Sequence, residues 1–164
     1  MGFPSEAITV SKPRVSAGLR QHHPAPHPFA PVHAPIALQA FGSLRQVKQA
    51  SAFLGGSLLP DRQLTVWRSG DDMRAYMRIG AHLKAMPKLL DWCDEASIVH
   101  WEQDDAEVPS WTEADQRMRS ESRPSKVRHP GPHHADLIYR APRLSRAAPI
   151  AAKGQAWRRS ATEY

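Results

Sequence analysis

From Ile36 to Gln103 the spacing of apolar residues switches between steps of three to four and steps of two. Each switch imposes a change of secondary structure on the chain. Ile36, Ala40, Leu44 and Val47, with Ala37 and Phe41 beside them, form one apolar stripe on a helix of about four turns. Pro35 suits the first position of that helix, where an amide hydrogen would have no partner in any case. The segment "SAFLGGSLLPDRQLTVWRS" then reads as two short strands, Ala52 to Leu59 and Gln63 to Arg68, turning at Pro60-Asp61-Arg62. Gly55-Gly56 inside the first of them weakens its packing and permits a bulge or the close approach of a backbone or ligand.

Helical spacing returns in "SGDDMRAYMRIGAHLKAMPKLLDWCDEA". Ser69 with Asp72 three residues on marks an N-cap and an acid in the first turn, where the helix dipole favours negative charge. Met73, Tyr76 and Met77 form the buried stripe. Gly80 costs about 1 kcal/mol of helix propensity relative to alanine, so a break is expected there. Leu83, Met86, Leu89 and Leu90 renew the stripe, and Pro87 is expected to bend the segment or open a new first turn. "SIVHWEQ", residues 97–103, alternates, with Ile98, His100 and Glu102 on one face and Val99 and Trp101 on the other. Ser110 and Glu113 begin a short amphipathic helix in "PSWTEADQRMRSE", and "RPSKVRHPGPHH" is loop.

Before Pro35 the signal is weaker, because residues 1–36 hold seven of the 15 prolines and four of the nine histidines. Ile8 and Val10 suggest a first strand within 7–17, with Pro13 confined to an edge or bulge. "QHHPAPHPFAPVHAP" is expected to be extended loop. The chain accordingly divides into a partly disordered Pro/His-rich segment (1–34), a domain (35–122) and a basic loop with a disordered tail (123–164). The element order, β-α-β-β-α-β with an extra helix, is that of the α+β, ferredoxin-like motif: a four-stranded antiparallel sheet with two helices on one face. Its other face is expected to be apolar and buried against a second copy.

Charge and cysteine content exclude several classes. The net charge of +6 is concentrated as +7 over residues 123–164, while residues 37–103 carry only +1. A nucleic-acid-binding surface needs its positive charge on the folded part, so nucleic acid is not an expected partner. The only cysteine, Cys93, cannot form an intramolecular disulfide and lacks a basic neighbour to activate it. No apolar run reaches the roughly 18 residues of a membrane span, and no signal peptide opens the chain, so a cytoplasmic setting is expected.

The residues that invite chemistry are His82, just after the expected break, and His100, two residues from Glu102 on the last strand. Either could act as base, acid or ligand. Structural roles compete: a helix-shaping contact for His82 and a satisfied interface polar group for His100. Trp67, Tyr76 and Trp101 could shape a ligand pocket, with Arg68 marking its mouth at a strand end. The remaining histidines, His22, His23, His27, His33, His129, His133 and His134, lie among prolines without the tight spacing of a zinc site, so no metal site is expected. No phosphate loop, nucleophile elbow or metalloprotease helix is present.

Residues 36–134, above all T-V-W, the "GAH" and "AMP" of the second helical region and "WCDEASIVHW", resemble bacterial proteins of the dimeric α/β-barrel superfamily. Within it they are similar to the spheroidene monooxygenase-like and antibiotic-biosynthesis monooxygenase-like domains. The hairpin around "LLPDRQLTVW" is shorter than such domains usually have, and Pro13 sits where a central strand would be. The resemblance implies a homodimer acting on a bulky hydrophobic or aromatic small molecule as a monooxygenase, with either no cofactor or haem. His82 or His100 would then move the proton or ligate. A non-catalytic member that binds a hydrophobic ligand or a partner is the alternative, because fold alone does not carry activity.

Overall fold

The computed structural model describes residues 15–24, 33–138, 141–142 and 144–154, with the backbone alone for 15–24, 33–40 and 89. In chain order the elements are β1 (Val15–Pro24), α1 (His33–Gln49), β2 (Phe53–Leu59), β3 (Arg62–Trp67), α2 (Gly70–Met77), α3 (Gly80–Trp92) and β4 (Cys93–Gln103). They continue with α4 (Trp111–Glu121), the two-residue β5 (Arg123–Pro124), a 3-10 turn at Leu144–Arg146 and β6 (Ala148–Ile150). The strands make one antiparallel sheet in the order β5-β4-β1-β3-β2-β6. Its inner four strands, β4-β1-β3-β2, have the ferredoxin-like order: α1 carries the chain from β1 past β3 to β2, and α2 with α3 carries it from β3 past β1 to β4.

The first strand lies further along than residues 7–17. Residues 7–14 fall outside the described chain, and Gln21–Pro24, expected as loop, are the end of the central strand β1. The physical reason is visible in the prolines. The ten residues between Pro13 and Pro24 all have an amide hydrogen for a ladder, and the register breaks only between His23 and Pro24. Leu19 faces Leu64 of β3 and Val99 of β4 across the two ladders, and Ala17 faces Val66 and Trp101.

Two cores sit on the two sides of this sheet. On one side Val47 of α1 and Met73 and Tyr76 of α2 pack with Ala52, Phe53, Trp67, Ile150 and Ala152. On the other, Leu59, Leu64, Val66, Val99 and Trp101 pack against Trp111, Ala114 and Met118. The last three are the apolar stripe of α4, spaced by three and four residues. The face that the four-stranded motif alone leaves uncovered thus carries α4 of the same chain. Burying a side chain of this size is worth roughly 1.5–3 kcal/mol. Two polar contacts fix the helix there. Trp111 Nε1 donates to Ser57 Oγ at 3.0 Å, and the Arg62 guanidinium, fully buried, pairs with Asp115.

Two short strands lie in the described part of the region 123–164. Arg123–Pro124 pair with β4 at Ser97 and Ile98, and Ala148–Ile150 pair with β2 at Gly56 to Leu58. Ile150 is 1% exposed and closes the core around Trp67. Residues 155–164, expected as disordered, and residues 1–14 and 25–32 lie outside the described residues. Glycine matters at Gly56, where a Cβ would come within 2.4 Å of the Leu64 carbonyl oxygen, so the close approach of β2 to β3 requires its absence.

Candidate functional site

Local sequence explains why the helical region after β3 comes in two pieces. Ser69 caps α2, its Oγ accepting from the Asp72 amide at 3.1 Å and donating to Asp72 Oδ2 at 2.7 Å. That hydrogen bond, with the neighbouring Arg68, holds the Asp72 carboxyl below its ordinary pKa against a smaller opposing effect of burial. After Met77 the chain turns through Arg78 and Ile79 and restarts as α3 at Gly80, whose φ of +58° favours glycine. The expected break is present, and α3 runs on through Pro87, which is exposed, as is Leu83 four residues earlier, where the lost helix bond can be replaced by water.

Gln46 of α1 joins the two pieces. Its Nε2 donates to the Ile79 carbonyl at 3.0 Å and to the Tyr76 carbonyl at 3.4 Å, and its Oε1 accepts from the His82 amide at 3.1 Å. One primary amide thus adds a donor to two carbonyls that already accept from the Ile79 and Leu83 amides, and serves a first-turn amide of α3, a group that helix geometry leaves without an intrahelical partner. A Cβ on Gly80 would lie 2.6 Å from Gln46 Oε1.

Just beyond this joint the His82 ring turns back on α2. Its Nδ1 is 3.2 Å from the Met77 carbonyl oxygen. A carbonyl can only accept, so Nδ1 carries the proton and Nε2 is the basic nitrogen of the neutral ring. The His82 ring packs on Tyr76 at 4.9 Å, Tyr76 on Trp67 at 4.7 Å, and Trp67 on Phe53 at 5.4 Å between ring centroids. Tyr76 uses its hydroxyl to donate to the Ser43 carbonyl at 3.2 Å. Trp67 is 1% exposed, and its Nε1 has no hydrogen-bond partner among the described residues. The result is a row of four rings that ends at a partly buried imidazole.

The structure brings Trp67, Tyr76 and His82 together and separates the other candidates from them. His100 alternates with Val99 and Trp101, so it lies on the helix-bearing side of the sheet, opposite the α4 core; it is partly buried, and its backbone pairs with Gly18. Trp101 is in the α4 core, on the far side of the sheet from Trp67, with the Arg117 guanidinium 5.1 Å from its ring centre. Arg68 is exposed and ion-paired to Asp72 at 3.4 Å. Cys93, buried and 2% exposed, stands at the start of β4. Sequence reasoning missed Gln46 and the Met77 carbonyl. Gln46 sits beside Val47 in α1, and nothing in its spacing signals a contact more than thirty residues away.

Among the described residues no group of three or more His, Cys, Asp or Glu side chains is placed to hold a metal ion. Haem does not fit the aromatic row. Phe53, Trp67 and Tyr76 are buried and close directly on one another at the spacings above, which leaves no slot for a macrocycle between them.

No helix among the described residues is long and apolar enough to cross a membrane. Compared with known proteins, residues 44–148 match the family described as Domain of unknown function (DUF3291). That span contains Gln46, Trp67, Tyr76, His82 and His100. No curated protein and no solved structure matches the chain.

Proposed function

Because the chain belongs to the DUF3291 family, a domain family of unknown function, we propose a function from the site itself: the domain binds a bulky hydrophobic or aromatic small molecule at the His82 end of the aromatic row and oxidises it with dioxygen in a monooxygenase-like reaction, one oxygen atom entering the product, the other leaving as water, and the substrate supplying the electrons. His82 Nε2 takes a proton from the bound molecule. The observation that carries this reading is the 3.2 Å contact of His82 Nδ1 with the Met77 carbonyl, which directs the ring's basicity to Nε2. Tyr76 backs the His82 ring at 4.9 Å between centroids and so braces it at the end of the row. A phenolic substrate suits such a base, because a phenolate is oxidised more readily than its phenol. The resemblance to monooxygenase-like domains of the dimeric α/β-barrel superfamily points the same way. Trp101 and Arg68 have no part in this reading, and His100 is left to a structural role.

The homodimer implied by the resemblance is not needed here to bury the sheet, since α4 already lies on the face in question; a second copy would dock elsewhere. A cytoplasmic setting remains part of this reading, with Cys93 as a buried thiol.

Dioxygen uptake by the purified protein with 1-naphthol as probe tests the proposal. Uptake by the wild type, reduced about 10²- to 10⁴-fold in His82→Ala, is the expected result for loss of a general base. The as-purified protein is expected to be colourless; a Soret band would contradict the cofactor-independent form. Saturable binding of 1-naphthol without uptake, unaffected by His82→Ala, would replace oxidation by the non-catalytic binding reading.

A further inference from the structure

Building on the reading of His82 as proton acceptor, we propose that Gln46 is the positioning residue that sets the His82 tautomer. The Nδ1 partner of His82 is a carbonyl in the last turn of α2, whereas His82 itself belongs to the first turn of α3. The Arg78 and Ile79 amides bond back to Ala75 and Tyr76, and the Leu83 amide bonds to Ile79, so the backbone closes each helix end separately. Between them lie Arg78 and Ile79, and α3 opens on Gly80 in the left-handed region, a residue with soft torsions.

Gln46 spans that joint with the full hydrogen-bonding capacity of its nitrogen. Its Nε2 hydrogens are directed to the Tyr76 carbonyl at the end of α2 and to the Ile79 carbonyl, which also accepts from the Leu83 amide at the start of α3, and Oε1 takes the backbone amide of His82 itself. The orientation of the amide is unambiguous, because the flipped form would set an oxygen against two carbonyls and a nitrogen against an amide hydrogen. Gln46 is held in turn by its own helix. Val47, its neighbour, is fully buried, and a Cβ on Gly42, one turn earlier, would lie 3.3 Å from Ala81. The Ser43 carbonyl accepts from Tyr76 one residue further along α1. Through these contacts α1 acts as a template that keeps the Met77 carbonyl opposite Nδ1 and so leaves Nε2 as the base.

Side-chain nitrogen NMR of 15N-labelled protein tests this without any ligand. Wild-type His82 is expected as a single neutral species, with a protonated, pyrrole-like Nδ1 and a pyridine-like Nε2. Gln46→Met removes all three hydrogen bonds at similar volume. Gln46→Glu keeps the acceptor for the His82 amide but sets a carboxylate against the Tyr76 and Ile79 carbonyls. Each folded variant is expected to show a mixture of the two tautomers, and an unchanged Nδ1–H species in either would overturn the proposal. Should neither variant fold, hydrogen exchange in the wild type decides. A slowed His82 amide supports the clamp, and exchange as fast as at an open helix end overturns it. Dioxygen uptake unaffected by His82→Ala would remove the proton-acceptor reading and leave the tautomer result standing. An unchanged tautomer in a variant, with uptake still dependent on His82, would remove only the role of Gln46.

Discussion

Gly80 lacks a side chain for two independent reasons. Its φ of +58° costs a non-glycine residue about 1–2 kcal/mol, and a Cβ would displace the Gln46 amide from 2.6 Å away. Each of the hydrogen bonds then disturbed is worth about 0.5–1.5 kcal/mol. Gly80→Ala is therefore expected to destabilise the fold by about 2–4 kcal/mol in urea unfolding. Gly154→Ala provides the comparison: its φ is +82° but nothing lies within 4 Å of the added carbon, so the loss should stay near 1–2 kcal/mol. The break at Gly80 was legible from helix propensity alone. Its packing partner was not, because a glutamine on α1 carries no mark of the helix joint that it meets in space.

At the level of elements, what was legible was local. Ser69 with Asp72 and Ser110 with Glu113 are caps whose partners lie three residues away, and both are present, with Oγ-to-amide distances of 3.1 Å. The misplaced pieces were strands: β1, whose partners are β3 and β4, and β6, whose partner is β2 across some ninety residues. A strand is specified by what it pairs with, and pairing is not written in the strand's own composition. The same dependence separated the tryptophans. Side chains change face with every residue along a strand, so Trp67 and its neighbour Val66 belong to different cores, and Trp101 joins that of Val66. The placement of α4 yields a quantitative expectation. Removing the buried partner of Arg62 in Asp115→Ala should cost about 2–3 kcal/mol, as for a hydrogen bond to a charged group, with Asp61 at 3.4 Å limiting the loss. Asp71→Ala, which breaks an ion pair whose aspartate is 92% exposed, should change stability by less than about 1 kcal/mol by the same unfolding measurement.

On the scale of the whole molecule, the sheet is a partition. The α1–α3 side holds the aromatic row and His82, and the α4 side holds a closed core of Leu59, Leu64, Val66, Val99, Trp101, Trp111, Ala114 and Met118. Assigning the proposed ligand to the first side only is the central claim, and the tryptophans make it observable because Trp67 reports from one side and Trp101 and Trp111 from the other. Titration of 15N-labelled protein with 1-naphthol, followed through indole and imidazole nitrogens, tests it directly. Saturable shifts of the His82 ring and the Trp67 Nε1–H, with Trp101 and Trp111 unmoved, are the predicted result. Shifts centred on Trp101 and Trp111, or a His82 ring that does not respond, would contradict it.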